Sequence, residues 1–319
     1  MDIQSLLALM VERDASDLYF SVGTSVGIKI EGVTSPVNGE KLVPGQVKEF
    51  AYSLMSPGDT ELFEREMELD FSLQKEGLGR FRINVFRERG EVAMVIRYVR
   101  ETVPTIEELN LPQVLKKLVM APRGLVLVVG TTGSGKSTSL ASMIDYRNGQ
   151  QTGHILTIED PIEYMHTHKE SIVNQREVGH DTHSYEAALR RAMREAPDVI
   201  LIGEIRDKDT MEQALKYAQS GHLCLSTLHA TNASQTIKRI INFFSEPHYK
   251  ELLMDLSLNL KAVVSQRLLL TKEGQRVPAV EVMIATPYVR ELIEKGKITE
   301  LQEAIEKGGS GTTGMQSMN

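Results

Sequence analysis

The chain reads as an α/β protein in two parts, a small α+β domain followed by a larger domain on a mainly parallel sheet. Two observations carry this. In the first hundred residues, stretches such as "DLYFSVG", "VGIKIEG", "LDFSLQ", "GRFRINVF" and "VAMVIRYV" alternate apolar and polar residues with the period of a half-exposed antiparallel sheet. Later, the apolar runs "GLVLVV", "HILTIED", "DVILIGE" and "HLCLSTLH" are separated by helical stretches such as "SYEAALRRAMREA", "DTMEQALKYAQS" and "NASQTIKRIINFF". Strands that alternate with helices of this length predict a parallel sheet covered on both faces.

The first domain, residues 1–99, also contains one helical stretch, "GQVKEFAYSLMS". A segment with two prolines, Pro104 and Pro112, and little apolar periodicity then places a linker at 100–113. The second domain is expected over 114–306. The Gly-, Ser- and Thr-rich end, 307–319, is expected to be a flexible tail.

The most informative stretch is "GLVLVVGTTGSGKSTSLASMI". Its apolar run ends at Gly130, a loop follows through Thr131, Thr132, Gly133, Ser134 and Gly135, and a helix opens at Lys136. Gly130, Gly135, Lys136 and Ser137 satisfy the P-loop spacing in the strand, loop, helix context that this pattern needs. The glycines let backbone N–H groups and the helix N-terminus face a β-phosphate. Lys136 adds a point charge to the β and γ oxygens, the Ser137 hydroxyl suits a bridging Mg2+, and Thr138 completes the loop. ATP with Mg2+ is the expected ligand.

Open parallel sheets bind ligands at the carboxyl ends of their strands, and three polar clusters fall there. "TIEDPIEY" brings Glu159, Asp160 and Glu163 within five residues, a density of negative charge suited to a magnesium ion and its water shell. "DVILIGEIRD" ends an apolar strand on Gly203 and Glu204, with glycine where a Walker B strand usually has aspartate. Glu204 is the expected residue to orient or deprotonate the attacking water. "GHLCLSTLHA" has a histidine at each end, roughly 20 Å apart along a strand, so His222 and His229 cannot share a metal within it. His229, at the phosphate end, is a candidate sensor of the γ-phosphate. Phosphoryl transfer also gains from cations aimed at the transferred group, and Arg82 and Arg97 of the first domain are the expected donors.

Bulk composition narrows the function. A net charge of -7 argues against a general nucleic-acid binder, and no direct nucleic-acid partner is expected. No signal-peptide pattern and no run of about 18 apolar residues is present, so a cytoplasmic protein is expected. The one cysteine, Cys224, lies in an apolar run and reads as a buried small side chain.

Together, "GTTGSGKST", "TIEDPIEY", "DVILIGEIRD" and "HLCLSTLHATNA" resemble the Walker A motif, Asp box, atypical Walker B motif and His box of the secretion ATPase superfamily of type II secretion and type IV pili. "ASDLYFSVG" and "GRFRINVFRERG" resemble that family's PAS-like N-terminal domain. With one cysteine, the chain lacks the four-cysteine zinc site of the assembly ATPases, and so it resembles the retraction branch, the PilT/PilU family. "FSVGTSVGIKIEGVTSPV" and "MDLSLNLKAVVSQRLL" are more similar to the PilU side. The resemblance implies a RecA-like ATPase domain and a homo-hexameric ring with ATP sites between the domains. It implies a motor for pilus retraction and twitching motility, peripheral to the inner membrane at the pilus base. The implied partners are an inner-membrane platform protein and a PilT-type ATPase. Residues 288–293 read "YVRELI" where the PilT pattern has "AIRNLI", which counts against autonomous retraction. The family continues past the "GMQ" at 314–316, which implies a chain shortened at its C-terminus. Two other readings stand beside the motor: a nucleotide-gated ring that docks on PilT without turnover, and a related DNA-handling or conjugation ATPase.

Overall fold

The structure is a computed structural model that describes residues 2–30, 32–99, 102–272, 276–308 and 314–318. It divides into two compact units, Met1–Glu101 and Thr102–Asn319.

In the first unit, helix α1 (Ile3–Glu12) leads to strands β1 (Asp17–Phe20), β2 (Gly27–Ile30) and β3 (Val33–Pro36). Helices α2 (Gln46–Leu54) and α3 (Pro57–Glu66) follow, then β4 (Glu68–Lys75), β5 (Gly79–Glu88) and β6 (Glu91–Val99). The six strands form one antiparallel sheet in the order β3-β2-β1-β6-β5-β4. Period-two patterning sets its inner face: Phe81, Ile83 and Val85 of β5 are buried, and the residues between them, Arg82 among these, lie on the other face. Leu6, Leu7 and Met10 of α1, Val47 and Ala51 of α2 and Phe63 of α3 close that core. Helix α1 has an Asp2 N-cap, whose side chain accepts from the Ser5 N–H at 2.9 Å.

The second unit opens with α4 (Val114–Val119), β7 (Gly124–Val129), α5 (Lys136–Asn148), β8 (Gly153–Glu159) and β9 (Ser171–Glu177). It continues through α6 (Tyr185–Ala192), β10 (Val199–Ile202), α7 (Lys208–Gln219), β11 (Leu223–Leu228) and α8 (Ala233–Ile241). It ends with α9 (Tyr249–Asn259), β12 (Leu260–Leu270), β13 (Arg276–Ile284), α10 (Pro287–Glu294) and α11 (Leu301–Gly308). The strand order is β13-β12-β7-β11-β10-β8-β9, parallel throughout except for the antiparallel edge strand β13. Alternate residues of β7 face two separate cores: Leu125, Leu127 and Val129 on one side, Val126 and Val128 on the other. That explains why the strand is apolar at nearly every position.

Two stretches sit differently from expectation. Within 100–113, Ile106 and Leu111 are buried in the second unit's core, because their apolar side chains cover the face formed by Leu115 and Val119. Residues 100 and 101 lie outside the described residues. In the terminal stretch, Met315 is buried and Gln316 exchanges backbone hydrogen bonds with Val282 of β13, so residues 314–318 are held against the sheet edge. Residues 309–313 and 319 are not among those described. Among the described residues, no helix is long and apolar enough to cross a membrane.

Candidate active site

Strand register brings the polar clusters together. Val129, the last residue of β7, is level with Leu228 of β11 on one side and Ser265 of β12 on the other. The next residues along, His229 and Gln266, therefore flank Gly130 at the start of the P-loop. One strand further, Ile202 of β10 pairs with Ser226 of β11 and with Ile158 of β8, which sets Glu204 and Glu159 at neighbouring strand ends. The result is one cleft of about 500 Å³. Thr132, Gly133, Ser134, Gly135, Lys136, Ser137, Thr138, Glu159, Asp160, Glu163, Glu204 and His229 all line it. Thr131 lines an adjoining cleft, and its carbonyl faces the P-loop lysine.

The Lys136 side chain is buried, and its ammonium donates to the carbonyls of Gly130 (3.1 Å) and Thr131 (2.9 Å). Burial holds its pKa below the ordinary lysine value, while the Glu204 and Glu163 carboxylates pull the other way. The Ser134 hydroxyl is buried and has no partner. Such an orphaned donor in a loop of this geometry suits a phosphate oxygen.

Glu204 is fixed from both sides. The Thr227 hydroxyl donates to the Gly203 carbonyl at 2.7 Å, and the Ile205 N–H donates to the Thr227 carbonyl at 2.9 Å. One carboxylate oxygen, Oε2, accepts from Arg206 Nε at 2.8 Å, and the other, Oε1, lies 3.1 Å from His229 Nε2. Arg206 also reaches Asp160, at 3.6 Å. The glycine in place of the usual aspartate has a steric cause. A Cβ at position 203 would lie 2.8 Å from the Tyr185 hydroxyl and 3.2 Å from the Glu159 Cα.

The three acidic residues after β8 are not equivalent. Glu159 is enclosed: its Oε1 accepts from the Thr157 hydroxyl at 2.7 Å and from Gln175 at 3.4 Å. Burial pushes its pKa up to about 7, against the lowering effect of those two hydrogen bonds. Asp160 and Glu163 are exposed at the cleft. Among the described residues no group of three His, Cys, Asp or Glu converges as a direct ligand set. This donor chemistry still fits magnesium, which keeps several waters and takes few protein ligands beside substrate phosphates. Ser137 would be the protein ligand, with Asp160 and Glu163 on the water shell.

Arg82 and Arg97 are not among the residues lining this cleft. They sit opposite each other on β5 and β6 in the first unit, each beside a carboxylate of that unit. Arg97 Nε donates to Asp17 Oδ1 at 2.8 Å, and Arg82 lies 3.7 Å from Asp70.

Several contributors escaped the sequence reading. Gln175 of β9 clamps the Asp-box loop, donating to the Tyr164 carbonyl (2.8 Å) and accepting from the His166 N–H (2.7 Å). Glu177 accepts from the Ile162 N–H at 3.1 Å. Tyr164 pairs its hydroxyl with that of Thr138 at 3.1 Å, joining this loop to the P-loop helix. His166 lines the cleft with a buried, unpartnered Nδ1, and burial lowers its pKa to about 4. The sequence signal for β9 was its short run "SIVNQRE", in which polar residues outnumber apolar ones.

Comparison with known proteins gives the family. The family described as Type II/IV secretion system protein matches residues 67–308. The type IV pilus ATPase PilU of Pseudomonas aeruginosa is 47% identical over 320 residues, covering all of this chain and 83% of that protein. The type IV pilus retractation ATPase PilT of the same organism is 44% identical, covering all of this chain and 92% of its own. A crystal structure of the pilus retraction motor PilT with bound ADP superposes with a TM-score of 0.91 at 42% identity, over 96% of this chain and 90% of that one. The family match over most of the chain and the relatives matched along all of it place this chain in the type II/IV secretion family, as an ATPase of the PilT/PilU branch.

Proposed function

We propose that this ATPase is a hexameric motor for type IV pilus retraction, acting as an accessory to a PilT-type ATPase at the pilus base against an inner-membrane platform protein. The 47% identity to PilU along the whole chain, against 44% to PilT, supports the PilU side of this reading. The observation that carries the chemistry is the position of Glu204, held by His229 and Arg206 in the cleft that the P-loop lysine also lines. In this reading Glu204 orients the water for in-line attack on the γ-phosphate. Lys136 and the P-loop N–H groups take up charge on the β and γ oxygens. Magnesium bound with the triphosphate supplies Lewis-acid charge, with Ser137, Asp160 and Glu163 as its protein contacts. Arg82 and Arg97 are the proposed further cations. Arg82, with the longer ion pair, is the readier of the two to exchange its carboxylate for a phosphate.

Steady-state phosphate release with ATP and magnesium, measured beside Glu204→Ala with the oligomer size of the same samples, tests the reading. Turnover by wild-type hexamers, lost in a variant that still binds ATP and assembles, is the expected result. A well-formed hexamer with no turnover, alone or with PilT, overturns it in favour of a nucleotide-gated ring.

A further inference from the structure

We propose that Gln266 is a positioning residue for the P-loop, acting through Ser139 on the far side of the loop from the acidic residues. The inference rests on the reading of the P-loop as the nucleotide site. Four observations converge on it. Gln266 follows Ser265, which is level with Val129, so its backbone stands beside Gly130 where the strand gives way to the loop. A Cβ at position 130 would meet the Gln266 carbonyl oxygen at 2.4 Å, so the loop's first residue is pressed against this one. The side chain then reaches the loop's other end. Gly135 has φ +84°, and a Cβ there would lie 2.8 Å from Gln266 Nε2. Finally, the Ser139 hydroxyl, one turn into helix α5, donates to Gln266 Oε1 at 2.7 Å, with both residues buried.

One carboxamide thus touches the glycine that ends the loop and grips the first turn of the helix whose N-terminus faces the phosphate. A buried hydrogen bond in this place fixes the distance between strand and helix N-terminus, on which the aim of the loop's N–H groups depends. Its loss leaves the buried Ser139 donor without this acceptor and removes the amide packed beside Gly135. Nothing in this contact needs the reacting atoms, so the effect falls on nucleotide affinity.

The test measures the Kd of magnesium-ADP and the Tm for wild type, Gln266→Met, Ser139→Ala and the double variant, with Lys136→Ala as a control. Methionine keeps an unbranched chain of similar length and removes both amide groups. The expected result is about a tenfold rise in Kd for each single variant, the equivalent of one well-made buried hydrogen bond. The double variant should bind no more weakly than the worse single one, since both remove the same contact. Wild-type affinity in Gln266→Met, even with a lowered Tm, overturns the proposal, as do losses that multiply in the double variant. If Gln266→Met does not fold, Ser139→Ala carries the test alone, and unchanged affinity there overturns it. A wild-type protein that binds no ADP, or a Lys136→Ala variant that binds it as well as wild type, would instead refute the underlying site assignment.

Discussion

Replacing Glu159 by glutamine is expected to stabilise the nucleotide-free protein, increasingly so as pH rises. The carboxyl titrates near 4.5 in the unfolded chain and at about 7 in the fold, where burial disfavours its charged form. Between those values the folded state holds more protons than the unfolded one, so stability falls as pH rises through the window. At 1.36 kcal/mol per pH unit, linkage puts the penalty at about 1 kcal/mol at pH 5, about 2 at pH 6 and about 3 at pH 8. Glutamine has no charge to desolvate and keeps an acceptor for the Thr157 hydroxyl and the Gln175 amide. Urea denaturation followed by circular dichroism, run on both proteins from pH 5 to 8, gives the difference directly, because every other titrating group is common to the two. A difference that stays flat with pH, or that grows toward acid, would refute the assignment of a buried, proton-holding carboxyl.

Gly203→Asp restores the usual Walker B residue and should destabilise the protein by about 2 kcal/mol, since its Cβ collides with Tyr185 and a fifth carboxylate enters the acidic end of the cleft. Wild-type Tm in that variant would contradict the packing argument. Arg97→Ala should cost about 2 kcal/mol in the first unit, because Asp17, 3% exposed at its side chain, then keeps the Ser16 hydroxyl at 2.8 Å but no cation nearer than Lys29 at 3.8 Å. Arg82→Ala, whose partner Asp70 is exposed, should stay within about 0.5 kcal/mol, and equal losses for the two would sink the distinction. ATP affinity should drop at least about tenfold when EDTA removes divalent cations, because a bare triphosphate enters a cleft lined by four carboxylates. Equal affinity with and without EDTA would count decisively against a magnesium-dependent site.

The second unit was legible where strands are buried on both faces. "GLVLVV" and "DVILIG" declare themselves because each of their apolar side chains meets one core or the other. The first unit was legible where one face stays polar, as in β5. What escaped was of two kinds. Strands β3 and β9 are short and weakly patterned, and all four residues of β3 are exposed, yet they pair with β2, whereas helix α1 went unread although its buried Ile3, Leu6, Leu7 and Met10 recur at helical spacing. The other kind is the neutral support around the site. Gln175, Gln266 and Thr227 act by where the sheet puts them, and a lone glutamine or threonine has no spacing to betray it. The stretch 100–113 was read as a linker on its prolines, but Ile106 and Leu111 within it find apolar partners that only the folded unit supplies.

Sheet order explains why the motifs could be found from sequence while their contacts could not. Along the chain the P-loop strand is followed by the strands ending in Glu159, Glu204 and His229. Across the sheet the order runs β7, β11, β10, β8. The histidine, last in sequence, is therefore first beside the P-loop, and it stands between the loop and the glutamate it touches at 3.1 Å. Glu204 in turn separates His229 from Asp160, with Arg206 bridging to the latter. A carboxylate held at both oxygens has fewer lone pairs left to accept a hydrogen bond from a water. On the proposed reading, in which Glu204 orients a water, that water shares an oxygen with Arg206 or His229 or takes the place of one of them. His229 is the one on the P-loop side, where the γ-phosphate would arrive and compete for the same imidazole N–H. On that reading the strand order offers the terminal phosphate and the glutamate to one histidine as alternative partners.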